Sequence, residues 1–92
     1  MGTRILDEVF AVIEDRRDNP KRSSYVSGLL VRKGFLDKVK EESNELIEAA
    51  MGGEKHEIIH EAADLIFHIM VLLAAKGVKL DEVMDELKRR RR

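Results

Sequence analysis

From Ala62 to Ala75 the chain is apolar nearly all round, interrupted only by Asp64 and His68. A helix without a polar face has to be covered on several sides. A chain of 92 residues has room for one core and little spare surface to do this alone. The segment therefore predicts an all-α bundle whose helices pair across a dimer. It does not predict a membrane span, because its uncharged part runs only from Leu65 to Ala75 and carries His68.

The rest of the chain fits four or five helices. Ile5, Leu6, Val9, Phe10, Val12 and Ile13 recur at helical spacing and predict a helix over 3–18. Asn19-Pro20 ends it, since the residue before proline is pushed out of the helical region. After a polar loop, Lys21 to Ser24, a short helix is expected from Tyr25 to Lys33, with Leu29 and Leu30 inward and Gly34 as its breaker. Helices over 35–51 and 54–76 flank Gly52-Gly53, a turn signal, and Gly77 closes the second. The last, over 81–90, lines up Leu80, Val83, Met84 and Leu87 on one face. No segment alternates like a strand, and residues 1–92 form a single expected domain. There is no Cys, so disulfides and thiolate metal sites are excluded. The start is too quickly charged for a secretory signal, and Leu6 stands where myristoylation wants Ser or Thr after Met1-Gly2. A cytoplasmic protein is expected.

Net charge is −1, which argues against a nucleic-acid partner, but the charges are segregated. Residues 1–40 hold nine Lys/Arg against six Asp/Glu, while residues 41–64 hold eight Asp/Glu against one Lys. The last five residues, Lys88 to Arg92, are all basic. An acidic centre with basic flanks suits a cation site beside an anion-binding rim.

Within the acidic centre two segments match: Glu41-Glu42-Ser43-Asn44-Glu45-Leu46 and Glu61-Ala62-Ala63-Asp64-Leu65. Acids three apart on a helix lie about 60° from one another. The following Leu puts Glu42 and Glu61 at the edge of the apolar stripe. If the two helices run antiparallel across Gly52-Gly53, Glu42, Glu45, Glu61 and Asp64 converge. Four converging carboxylates repel unless a cation neutralises them. Mg²⁺ takes a few carboxylates and completes its shell with water and phosphate oxygens, which points to phosphate chemistry. The bland alternative is a solvated acidic face. Lys38 shares the face of Glu42 and Glu45 and is the leading phosphate-contact candidate, with Lys33 and Arg22 behind it. His68 lies on the face of Glu61 and Asp64, suited either to substrate or to the interior.

His56-Glu57-Ile58-Ile59-His60 matches H-E-x-x-H, yet zinc protease chemistry needs a third ligand and a cleft that this chain is too small to supply. Glu57-x-x-His60 also matches a di-iron ligand pair, but no second such pair exists.

Glu41-Glu42-x-x-Glu45, fifteen intervening residues, then Glu61-x-x-Asp64 resembles the signature of the all-α nucleoside triphosphate pyrophosphohydrolases. Leu6 to Pro20, Ser24-Tyr25, Glu61 to His68, Val71 to Gly77 and Leu80 to Val83 are similar to the phosphoribosyl-ATP pyrophosphohydrolases within that superfamily. The likeness covers nearly the whole chain. Two departures stand out: Lys40 replaces the usual Gly before the Glu pair, and the stretch from Gly34 to Glu41 is about three residues shorter than usual. The resemblance implies Mg²⁺-dependent conversion of phosphoribosyl-ATP to phosphoribosyl-AMP and pyrophosphate, with Mn²⁺ as a substitute ion. It implies Glu42, Glu45, Glu61 and Asp64 as metal ligands and Glu41 as a support group or base. It also implies a homodimer. Two other functions remain: a house-cleaning (d)NTP pyrophosphohydrolase with the same metal site, and a non-catalytic helical dimerisation module.

Overall fold

The computed structural model describes residues 2–91. Met1 of the Met1-Gly2 pair and Arg92 of the basic tail lie outside the described residues. Five helices follow in order: α1 (Arg4–Asp18), α2 (Tyr25–Arg32), α3 (Phe35–Gly52), α4 (Lys55–Ala75) and α5 (Leu80–Arg90). The fold is all-α, and among the described residues there is no strand.

The centre of the fold is the hairpin of α3 and α4. Gly53 takes the left-handed conformation (φ 76°), its N–H bonds the Ala49 carbonyl at 3.1 Å, and the chain reverses at once. Helix α1 lies along α4 and buries Phe10 and Ile13 against Met70, Val71 and Ala74. The Arg17 guanidinium donates to the Ala74 carbonyl at 2.9 Å, so the C-terminal end of α1 caps that of α4.

Helix α2 is set by serines. The Ser24 hydroxyl accepts from the Ser27 N–H at 3.2 Å, a standard N-cap. The buried Ser27 hydroxyl accepts from the Lys21 N–H and donates to the Arg16 carbonyl, both at 3.0 Å. Those bonds tie the loop after α1 to the start of α2 and satisfy the buried Ser27 hydroxyl.

Helix α2 breaks at Lys33-Gly34, where the sequence places its end. The left-handed residue is Lys33 (φ 58°), not Gly34, which begins α3 with negative φ. The Gly34 N–H reaches back to the Leu29 carbonyl at 3.0 Å. The end of α4 uses the same five-residue bond, from the Val78 N–H to Leu73, but puts Gly77 (φ 69°) at the left-handed position. The turn needs its left-handed residue one place earlier than the glycine falls.

One chain leaves much apolar surface uncovered. Ile5 and Val12 on α1 are about half exposed, as are Ile59 and Ile66 on α4. On α5 only Leu80 is buried, while Met84 and Leu87 face outward. The radius of gyration is 14.2 Å, against about 12 Å for a compact domain of this length. By length and composition α4 would cross a membrane. In this fold it is instead the helix against which α1, α2 and α3 pack.

Candidate cation and phosphate site

The antiparallel hairpin brings the two acidic segments face to face. Glu42, Glu45 and Glu61 each present a carboxylate oxygen within 4.8 Å of the others. Glu61 also belongs to a second group of the same span, with Asp64 and His60. The four acids thus meet as two groupings that share Glu61.

Burial makes this a strained arrangement. Glu42 is only 5% exposed, and its Oε2 has no hydrogen-bond partner. The Glu61 Oε1 is likewise sequestered and unpartnered. Desolvation pushes the Glu42 carboxyl above the usual range, reinforced by Glu45 and Asp64; His68 and Lys38 offset it only in part. Glu61 is raised too, first by desolvation and then by Glu45. A buried polar atom without a partner costs about 1–3 kcal/mol, and more when charged. An oxygen-seeking divalent cation would satisfy both orphan oxygens and remove the mutual repulsion, so the donor set fits Mg²⁺.

The basic rim is Lys38. Its ammonium lies 3.6 Å from Glu41 and 4.0 Å from Glu42. The Tyr25 hydroxyl, then Glu41, hold it above the usual lysine range. Glu41 itself is exposed and faces Lys38.

His68 is buried beneath the acids. Its Nδ1 lies 2.8 Å from the Asp64 carbonyl oxygen, which only accepts, so Nδ1 carries the proton. Nε2 then accepts from the Tyr25 hydroxyl at 2.9 Å. The edges of the Tyr25 and Phe67 rings pack on the imidazole. Both ring nitrogens are therefore engaged within the chain, and α2 is pinned to α4 directly behind Asp64.

Known proteins are similar to this chain over nearly its whole length. The pattern of the family described as phosphoribosyl-ATP pyrophosphohydrolase matches residues 6–91. A phosphoribosyl-ATP pyrophosphatase of Methanocella arvoryzae is 52% identical, covering 96% of this chain and 97% of its own. Proteins of the same name from Methanococcoides burtonii and Methanosphaerula palustris are 48% and 49% identical. They cover 95% and 98% of this chain, and 92% and 95% of their own. The chain belongs to the phosphoribosyl-ATP pyrophosphohydrolase family.

Not every candidate residue gathers at this family's acidic segments. Arg22 is exposed in the loop between α1 and α2, in a depression with Pro20, Lys21 and Arg32. Lys33 borders a separate hollow of about 480 Å³ with Arg16, Arg17 and Phe35. Neither hollow includes the acids. His56 and Glu57 line an open groove of about 420 Å³ with Glu45, Glu48, His60 and Glu61. Among the described residues, the only histidine grouped with acids at ligand spacing is His60, beside Glu61 and Asp64. Neither the zinc nor the di-iron pattern assembles. Two residues of the site were missing from the sequence-based site set: Tyr25, and His60, which was weighed only in the zinc and di-iron patterns. The i,i+4 spacing of His60 and Asp64 was readable. The bond from Tyr25 to His68, across 43 positions, was not.

Proposed function

We propose that this chain hydrolyses the α–β phosphoanhydride of phosphoribosyl-ATP to phosphoribosyl-AMP and pyrophosphate, the second step of histidine biosynthesis. The observation that carries the reading is the pair of buried, unpartnered oxygens of Glu42 and Glu61, at the acidic segments of a family named for that reaction. Glu42, Glu45, Glu61 and Asp64 would hold Mg²⁺, or Mn²⁺ in its place. A divalent cation there supplies a water of lowered pKa and charge compensation for the phosphates.

The chain's own side chains do the positioning. Lys38 stands at the exposed edge of the cluster and offers an ammonium to the β- or γ-phosphate. Glu41, paired with Lys38, serves as its support; the same pairing argues against a role as base. His68 and Tyr25 fix the backbone that carries Asp64, so that its carboxylate is held before substrate arrives. The apolar groove of Ile5, Leu6, Val9, Ala63, Ile66, Phe67 and Met70 supports a homodimer, since a second copy would cover it. The proposed setting is the cytoplasm, with neither membrane nor nucleic acid as partner.

A substrate panel tests the assignment. With Mg²⁺ present, pyrophosphate should appear from phosphoribosyl-ATP and hardly at all from ATP or the dNTPs. Release from other nucleotides alone would keep the cation chemistry and sink the histidine-pathway role. It would point to a house-cleaning pyrophosphohydrolase.

A further inference from the structure

His60 stands outside the carboxylate set that the motif supplies, yet its ring reaches that set. Its Nε2 lies 3.4 Å from Asp64 Oδ2, one helical turn along α4, and its side chain is 70% exposed. The imidazole, Glu61 and Asp64 each present a donor atom within 4.8 Å of the others. Glu61 also belongs to the grouping with Glu42 and Glu45, and its Oε1 is buried and unpartnered. Glu42, nineteen-twentieths buried, carries an orphan Oε2 of its own and is grouped with Glu45 and Glu61. The cluster therefore has an inner side made only of oxygens and an outer, open side where a nitrogen is present.

These two sides call for different ions. An all-oxygen set suits Mg²⁺, which binds imidazole poorly and keeps its waters. A mixed set of one imidazole and carboxylates favours first-row transition ions, which accept nitrogen as well as oxygen. We propose that His60 is a nitrogen ligand at the open side of the cluster, shared with Glu61 and Asp64, and that it makes the site select Mn²⁺ over Mg²⁺. The inference rests on the cation site proposed above and adds its ion preference. In the simpler alternative, the histidine only pairs with Asp64 on the surface of α4. Such a pair would act on all divalent ions alike and put no nitrogen on the ion.

The test uses the full-length protein, with Mn²⁺ and Mg²⁺ themselves as probes and Glu42→Gln as the control. Affinities come from calorimetry, and the Mn²⁺ coordination from pulsed electron paramagnetic resonance. Wild type should bind Mn²⁺ more tightly than Mg²⁺ and show ¹⁴N coupling from a bound imidazole. His60→Gln should lose that coupling and about tenfold in Mn²⁺ affinity, with Mg²⁺ affinity within about twofold of wild type. Glu42→Gln should weaken both ions. Nitrogen coupling that persists in His60→Gln, or equal losses for the two ions, would overturn the assignment of His60 while leaving the carboxylate site standing. Absence of divalent binding to wild type would overturn both.

Discussion

Glu42 and Glu61 show what single residues contribute. Both carboxyls have folded-state pKa values above the ordinary 4.5, chiefly because burial disfavours the charged form. The folded chain therefore binds protons more readily than the unfolded chain. The stability these two groups contribute is fully present below about pH 4.5 and is lost as pH rises through their raised values. Without divalent ions, the part of the melting temperature that they govern should fall as pH rises above about 4.5 and through their raised values. Saturating Mg²⁺ should reverse that trend, because protons and cation compete for the same oxygens. Glu42→Gln should melt a few degrees higher than wild type without cation, since a repelled charge is gone. It should gain little from Mg²⁺. For wild type, a cation at about 100 times its Kd adds about 2.7 kcal/mol. That corresponds to roughly 10–20 °C in a domain of this size. Calorimetric scans of both proteins check the pair of claims. Lys33 offers a separate test. It holds a left-handed conformation that costs about 1–2 kcal/mol for a residue with a side chain. Lys33→Gly should stabilise the fold by about 1 kcal/mol in denaturant unfolding and leave activity unchanged unless Lys33 touches substrate.

At the level of elements, the pattern of glycines and apolar residues already gives the helices. Gly52-Gly53 and Gly77 end α3 and α4 where the spacing predicts, because both Gly53 and Gly77 take positive φ. The facing of Glu42 and Glu45 toward Glu61 follows from two i,i+3 pairs and one tight turn. Gly34 marks the break after α2, but local sequence does not show that Lys33 is the residue that goes left-handed. Arg22 and Lys33 lie away from the acids because short loops aim them elsewhere, which no helical periodicity reports. Tyr25 reaches His68 only through the docking of α2 on α4, and the Ser24 cap sets the start of that helix. Ser24→Ala should cost about 1 kcal/mol. It should also loosen Tyr25, lowering kcat more than thermal stability alone explains. Comparing its kcat with that of an equally destabilised Lys21 or Ser23 variant checks this.

For the whole molecule, apolar surface left by one chain sets the requirement for a partner. The half-exposed Ile5, Ile59 and Ile66, together with a radius of gyration above that of a compact monomer, support the proposed dimer. The apolar run of α4 points to a partner in the sequence alone, whereas the face proposed to meet it depends on how α1 and α4 pack. Ile66→Glu, placed in the apolar groove between them, should shift the protein from dimer to monomer in sedimentation and lower its melting temperature. The proposed dimer face and the acidic cluster share α4, so dissociation is expected to reduce activity as well.

The most direct test is pyrophosphate release from phosphoribosyl-ATP, measured across a Mg²⁺ titration for wild type and Glu61→Gln. Glu61 belongs to both ligand groupings. The account predicts saturable, Mg²⁺-dependent release by wild type and at least about a hundredfold loss in the variant, of the size seen when one electrostatic group is removed from an active site. Turnover that needs no divalent ion, or that survives Glu61→Gln, would contradict it.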